Sequence, residues 1–154
     1  MRRLTLLAVG LLTLCSSSLC AQTSARIVPE DWLPALAPSI RSALDELKEA
    51  NAQMEMNLLS RQIADMTDAQ LFIAYVRLYE KLPAKERGKL LEEQTRWLKE
   101  RPKVAKKGIE SEGGSLAPLE ANNAELTYTE KRLAELRARL KTAAAKKNAA
   151  DEDE

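Results

Sequence analysis

The spacing of apolar residues is the sequence feature that most constrains the fold of this 154-residue chain. Apolar and aromatic residues recur at three- and four-residue steps, which places them on one face of a helix. Alternation of apolar and polar residues, the pattern of a strand, is nearly absent, and Ala, Leu, Glu, Lys and Arg dominate. The pattern predicts an all-α fold, a small antiparallel bundle of about four helices.

Two helices are predicted before Pro83. The first begins at Ser39, and its apolar face comprises Ile40, Leu44, Leu47, Met54, Leu58 and Ile63. The second starts at Thr67–Gln70, which fits a capping box in which the Thr67 oxygen accepts an early backbone N–H. Its buried face comprises Leu71, Tyr75, Leu78, Tyr79 and Leu82. Pro83 ends this helix because proline has no N–H with which to continue it.

A third helix is predicted from about Ala84. Trp97 shares its inner face with Leu90, Gln94 and Arg101. Pro102 removes a backbone bond and clashes with the preceding turn, which costs about 3 kcal/mol in a helix interior. The sequence therefore predicts a kink or a break near Pro102.

A fourth helix is predicted after the glycine pair at Gly113 and Gly114. Ser115 is a good N-cap, and Pro118 is tolerated in the first turn because N–H groups there have no intrahelical partner. The apolar residues of this helix are Leu119, Leu126, Leu133, Leu136 and Leu140.

The two ends of the chain are predicted to lie outside the helical domain. Residues 1–21 combine two arginines, an apolar run and a small-residue segment, which predicts a signal peptide cleaved near Ala21. The apolar run is shorter than the roughly 20 residues of a membrane-spanning helix. Lipidation at Cys20 is the less favoured alternative, because Leu19 stands where a lipobox has a small residue. The protein is therefore predicted to be periplasmic or secreted.

The remaining boundaries follow from proline and charge. Residues 22–38 contain three prolines and are predicted to be irregular. Residues 39–140 form the predicted helical domain, and residues 141–154 form a charged, disordered tail, since acidic residues at a helix C-terminus oppose the macrodipole.

The residue types that most catalytic and metal sites require are scarce. The chain has no histidine, and Cys15 and Cys20 both fall at or before the predicted cleavage site. Carboxylates are plentiful but lie among lysines and arginines, so a carboxylate-dependent hydrolase is the least favoured function. A net charge of +1 and few aromatic residues do not support nucleic-acid binding. No catalytic residue, metal site or cofactor is predicted.

Four polar or aromatic residues stand out: Tyr75, Trp97, Arg101 and Arg132. We expect them to form a hydrogen-bonded network in the core, with the Trp97 indole N–H bonded to a polar group near the surface. The alternative is a partner-binding patch. Trp32 is expected to pack as a lid over the helices.

A series of short motifs accompanies the helical pattern. It consists of Glu55-Met56-Asn57, Asp68-x-x-Leu71 followed by Tyr75, Gln94-x-x-Trp97-x-x-x-Arg101, Gly113-Gly114-Ser115-x-x-Pro118-Leu119 and Thr129-x-x-Arg132-x-x-x-Leu136. In this order and spacing, the series resembles the lysozyme inhibitor LprI-like family of small exported bacterial proteins, over roughly residues 51–140. The motif positions expected to be structural are Asp68, Leu71, Tyr75, Gln94, Trp97, Arg101, Thr129 and Arg132.

The chain departs from that family at several positions. Leu59, Ala105 and Ala124 stand where family members usually carry cysteines, and Phe72 and Pro102 replace a usual Asn and Asp. Joint loss of the cysteines is expected if they form bridges, since a lone partner would be a reactive thiol. Packing must then replace the bridge, which commonly contributes about 2–4 kcal/mol.

The resemblance implies a non-enzymatic exported protein that binds lysozyme, blocks its cleft and protects the cell wall. The rival interpretation is a helical module of the envelope that binds another protein and has no effect on lysozyme. Gly113, Gly114 and Ser115 mark a loop that is the predicted partner-binding site. Lysines and glutamates both flank this loop, so its surroundings are mixed in charge rather than acidic.

Overall fold

The structure is a computed structural model that describes residues 28–29, 32–111 and 113–152, with the backbone alone for residues 146–152. It contains four helices: α1 (Leu36–Glu49), α2 (Gln53–Lys81), α3 (Ala84–Lys107) and α4 (Ala117–Glu152). No strand occurs in these described ranges. The predicted all-α bundle is therefore confirmed. The predicted signal peptide, with Cys20 and Ala21, and residues 22–27 lie outside the described residues.

The boundary between the first two helices differs from the prediction. α1 begins at Leu36 rather than Ser39, because Pro38 falls in the first turn, where its missing N–H costs no intrahelical bond. The break then comes at Ala50, which is extended, and α2 runs from Gln53 through Thr67 without interruption.

Thr67 is therefore not an N-cap. Its Oγ1 donates to the carbonyl oxygen of Ile63 at 2.9 Å, a bond back along the same helix. Threonine makes such bonds readily inside a helix, which satisfies its hydroxyl without ending the helix. The early break also separates the apolar residues assigned to one long face. As a result Met54 and Leu58 are 84% and 68% exposed instead of buried.

Pro83 and Pro102 act differently on α3. Pro83 separates α2 from α3, as predicted. Pro102 lies inside α3, which continues to Lys107, so the break expected as one outcome does not occur. Pro102 and Leu98 are both exposed, so water can bond to the Leu98 carbonyl that the proline leaves without a donor.

α4 starts later and extends further than expected. Its first residue is Ala117, so Leu116 rather than Ser115 occupies the cap position, while Pro118 lies in the first turn as predicted. The helix continues past the predicted domain end at Leu140 as far as Glu152. Leu140 and Ala143 pack against the core, so the buried face of α4 extends beyond Leu140 and supports this continuation.

α2 and α4 share the most extensive helix contact, while α1 packs on α2 and α3 packs on α4. Asn57 of α2 is bonded to Asn122 of α4, and further along Gln70 is bonded to Arg137. Residue numbers therefore increase in the same direction along both helices, so α2 and α4 run parallel. The core cluster comprises Leu71, Ala74, Leu78, Leu82, Leu90, Trp97, Leu133 and Leu136. None of the described helices is both long and apolar enough to cross a bilayer.

Trp32 does not form the expected lid. Its side chain is 74% exposed, and its backbone N–H bonds to the Pro29 carbonyl at 3.3 Å.

Candidate functional site

Arg101 is the residue through which α3 contacts both α2 and α4. Its Nη1 donates to the Asp68 carboxylate on α2. Its Nε lies 3.4 Å from Oε1 of Glu125 on α4, and its guanidinium lies 5.4 Å from the centroid of the Trp97 ring. The motif positions Asp68 and Arg101, 33 residues apart in sequence, are thus direct partners.

Trp97 is buried as predicted, with 8% of its surface exposed. Its ring stacks on the Tyr128 ring, with the centroids 5.5 Å apart and an angle of 4° between the planes, which is a geometry that aromatic pairs favour. The expected polar partner of its indole N–H is not found: among the described residues Nε1 is buried with no hydrogen-bond partner. Stacking on Tyr128 fixes the plane of the indole ring. The side-chain oxygen of Gln94, one turn earlier in α3, accepts a hydrogen bond from Arg132 and not from the indole.

Arg132 is the centre of a second network between α3 and α4. Its Nε donates to Gln94 Oε1 at 3.2 Å and its Nη1 donates to Glu135 at 3.2 Å. Its Nη2 lies 3.6 Å from Glu93, a carboxylate that also accepts a hydrogen bond from Arg139 at 2.6 Å. Burial raises the pKa of Glu93, but the Arg139 bond and the charges of Arg139 and Arg132 outweigh burial, so the net pKa is lowered.

The other motif residues also lie at helix contacts. Leu71 and Thr129 are almost fully buried, and Tyr75 is half-buried with its ring centroid 6.2 Å from that of Tyr79. The structure therefore places the motif residues between helices, where Asp68 pairs with Arg101 and Gln94 with Arg132. They do not form an exposed site, and the exposed candidate must be sought elsewhere.

The loop between α3 and α4 is exposed at the glycine pair. Gly113, Gly114 and Ser115 are all exposed, and Gly113 has a φ of 77°, a left-handed conformation that glycine adopts without steric cost. Two exposed apolar side chains, Ile109 and Leu116, lie in the same connection between α3 and α4.

The Glu120 side chain holds the first half of this loop. Its Oε2 accepts bonds from the Ser111 N–H at 3.0 Å, the Ser111 hydroxyl at 2.7 Å and the Glu110 N–H at 3.0 Å. The bonds from Ser111 and then Glu110 lower the pKa of Glu120, because they favour its charged form over any effect of burial. Glu120 was not among the predicted site residues, although an acid in the first helical turn after a glycine pair is a signal for such a clamp.

A second clamp holds the other half of the loop. Asn57 Nδ2 donates to the Ser115 carbonyl at 2.9 Å. Asn122 Nδ2 in turn donates to Ser60 Oγ at 2.9 Å and to the Asn57 carbonyl at 3.3 Å. Asn57 belongs to one of the sequence motifs, but the motif does not predict its bond to the Ser115 carbonyl. That bond joins residues 58 positions apart in the chain.

Lys106 and Lys107 form the basic last turn of α3, which leads into this loop. Both lysines are exposed, and no ion pair involving either is found among the described side chains. Across the described part of the chain, no three acidic, histidine or cysteine residues lie close enough to hold a metal ion.

Comparison with known families accounts for this arrangement. The profile of the family described as lysozyme inhibitor LprI matches residues 45–136, more than half of the chain. The protein therefore belongs to the lysozyme inhibitor LprI family. The match spans α2, α3, the loop and α4 as far as Leu136, and so includes both clamps. Neither the curated proteins nor the solved structures contain a match to the chain.

Proposed function

We propose that this protein is an exported, non-enzymatic inhibitor that binds lysozyme and blocks its cleft. The observation that carries the proposal is the family match over residues 45–136. The loop at Gly113, Gly114 and Ser115 is the part of the matched region that we assign to partner binding.

The geometry of the loop supports a binding role. Side chains of Glu120 and Asn57 hold it on both sides of the glycine pair. A loop that is already ordered loses less conformational entropy on binding, so more of the contact energy appears as affinity. An exposed and ordered loop is a suitable element for entering the cleft of an enzyme.

The buried charges support a protein without enzyme activity. The carboxylates of Asp68, Glu93 and Glu125 each lie within salt-bridge distance of an arginine. A general acid requires a raised pKa, whereas the pKa of Glu93 is lowered, because the effect of burial is outweighed by its bond from Arg139 and by the charges of Arg139 and Arg132. This arrangement disfavours the carboxylate-dependent hydrolase.

Export is the remaining part of the proposal, and it depends on residues 1–21. Their charged, apolar and small-residue segments favour a signal peptide, and a lysozyme inhibitor acts where lysozyme reaches the cell wall. Mass spectrometry of protein recovered from the periplasm tests this point. A mature chain beginning at Gln22 supports cleavage after Ala21, whereas a lipid-modified Cys20 indicates an anchored protein.

The rival function is an envelope module that binds another protein. The mixed charge around the loop favours it, because a basic lysozyme would attract an acidic surface more strongly. Turbidity measurements of a cell-wall suspension with lysozyme and the purified protein separate the two. We expect lysis to slow in proportion to added protein, while lysis at an unchanged rate in large molar excess would favour the rival.

A further inference from the structure

We propose that a groove between α1 and α4 binds a small amphiphilic anion, with a carboxylate at Arg137 and Lys141 and an acyl chain of medium length along the apolar lining. The proposal goes beyond lysozyme inhibition and does not rest on it. Ile40 and both basic residues line the groove but lie outside residues 45–136, so the family match implies nothing about this site.

The groove exists because α1 and α4 both pack on α2 but share little contact with each other. Its volume is about 530 Å³. On the α4 side it is lined by Ala134 and Ala138, which lie one turn apart, so only single methyl groups face the gap at these positions. Small-molecule sites have volumes of about 300–1,000 Å³, so the groove has room for a small ligand.

The larger apolar side chains of the groove are Leu133 of α4 and Ile40 of α1. Leu133 is only 4% exposed and belongs to the core cluster, so it is fixed in place by the packing of the bundle. Ile40 is half-buried. An apolar lining with a few polar groups at defined positions is typical of sites that bind small molecules.

Charge complementarity identifies the ligand as an anion. Arg137 and Lys141 line the groove one turn apart on α4, and no ion pair involving either is found among the described side chains. Arg139 on the same helix, by contrast, pairs with Glu93 at 2.6 Å. Arg137 Nη2 donates instead to Gln70 Oε1 at 3.1 Å, a neutral partner that holds the guanidinium beside the groove without compensating its charge. A guanidinium with parallel N–H donors matches the two oxygens of a carboxylate.

Glu130 determines which way the ligand lies. It lines the same groove seven residues before Arg137, a separation of about 10 Å along the helix axis. Its carboxylate would repel a second anionic group, so the ligand carries its charge at one end only. An acyl chain of medium length fits this separation, with its carboxylate at the two cations and its uncharged end toward Glu130.

Decanoate is the probe for the test. Titrated into the full chain below its micelle-forming concentration, it should shift the methyl NMR signals of Ala134 and Ala138 until they saturate, which gives a dissociation constant. Ala134→Leu, which places a larger side chain in the groove, should raise that constant by about tenfold or more. Decanol, which lacks the charge, and acetate, which lacks the chain, should each bind far more weakly than decanoate.

A charge-matched pair of variants tests the role of the cations. Arg137→Gln with Lys141→Gln should raise the dissociation constant for decanoate by about tenfold or more, because both cations are lost. Arg96→Gln with Lys99→Gln makes the same change in net charge at exposed positions of α3 and should leave the constant unchanged. Thermal unfolding of every variant verifies that folding is intact.

Three results would overturn the proposal. The first is equal binding of decanoate by the unchanged protein and by the Arg137→Gln, Lys141→Gln variant. The second is an equal response to decanol or to acetate, which would mean that the groove does not recognise both parts of the ligand. The third is a shift of the same methyl signals when the protein alone is concentrated, because a second copy of the chain would then occupy the groove.

Discussion

Asp68 on α2 and Arg101 on α3 form an ion pair that joins two helices with little backbone contact between them. The Arg101 side chain is mostly buried, and it also lies near Glu125 and over the Trp97 ring. One guanidinium therefore links three helices at the level of the stacked aromatic pair. We expect this contact to contribute more than an ordinary surface ion pair, whose contribution is about 0–1 kcal/mol.

Replacing Arg101 should measurably destabilise the fold. We expect Arg101→Ala to lower the free energy of unfolding by about 2–3 kcal/mol, because it removes the arginine that pairs with Asp68, leaves Glu125 with Arg61 alone and uncovers the Trp97 ring. Lys103→Ala, which removes only an exposed pair with Glu100, should cost less than about 0.5 kcal/mol. Urea denaturation measures both values, and equal losses would contradict the role given to Arg101.

A double-mutant cycle isolates the pair itself. Asp68→Ala, Arg101→Ala and the double variant should give a coupling energy of about 1 kcal/mol. Additive effects of the two substitutions would mean that Arg101 acts through Glu125 and Trp97 and not through Asp68.

Trp97 should tolerate loss of its indole nitrogen better than loss of its ring. Trp97→Ala removes the stack on Tyr128 and leaves a cavity in the core, at an expected cost of about 3–5 kcal/mol. Trp97→Phe keeps a ring and sacrifices no hydrogen bond, since Nε1 has no partner among the described residues, so about 1–2 kcal/mol is expected. Chemical denaturation measures both, with the exposed Trp32→Phe as the near-neutral control.

If Trp97→Phe proves as harmful as Trp97→Ala, the indole N–H must have a partner in solution. A buried water is then the first explanation, because such waters bond to polar groups that the protein leaves unsatisfied.

Local chemistry explains what could be predicted of the fold. Pro83 separates two helices because it has no N–H, and the three- and four-residue spacing around Trp97 places it in the core whatever the partner helix. The break at residues 50–52 contains neither proline nor glycine, so no strong local signal marks it. At Thr67 the local signal was misleading, because a threonine that bonds to the preceding turn looks like a cap.

The candidate site was predictable only in part. The glycine pair located the loop, but the residues that hold the loop come from distant positions. Asn57 reaches the Ser115 carbonyl across 58 residues of sequence. Such contacts depend on how the helices pack, which spacing within one helix does not reveal.

Gly88 within α3 and Gly108, the residue that caps its C-terminus, should respond oppositely to alanine. A Cβ at Gly108 would lie 2.3 Å from the Cβ of Ala124, so Gly108→Ala must push α3 and α4 apart. We expect a loss of about 1–3 kcal/mol, as for other overpacked sites. A Cβ at Gly88 would meet nothing within 4 Å, and Gly88→Ala should stabilise the helix by about 0.5–1 kcal/mol.

Thermal unfolding of the two alanine variants provides the comparison, because each differs from the parent by one methyl group. A stable Gly108→Ala protein would show that the end of α3 can move away from Ala124.

Acid should loosen the loop through Glu120. Its folded-state pKa lies below the ordinary value of 4.5, because Ser111 and Glu110 donate bonds to the charged carboxylate. A lowered pKa means that the contribution of these bonds is complete above pH 4.5 and is lost as the pH falls through the folded-state value. We expect the NMR signals of the Ser111 and Glu110 amides to shift in that acidic range, with a midpoint below 4.5.

Glu120→Gln is the matched control for this titration. The amide oxygen can still accept hydrogen bonds but carries no charge to titrate, so the Ser111 amide signal should stay nearly constant through the same range. Inhibition of lysozyme, if it depends on an ordered loop, should weaken in Glu120→Ala and be largely retained in Glu120→Gln. A Ser111 signal that titrates equally in the parent and in Glu120→Gln would show that another group, and not Glu120, controls the loop.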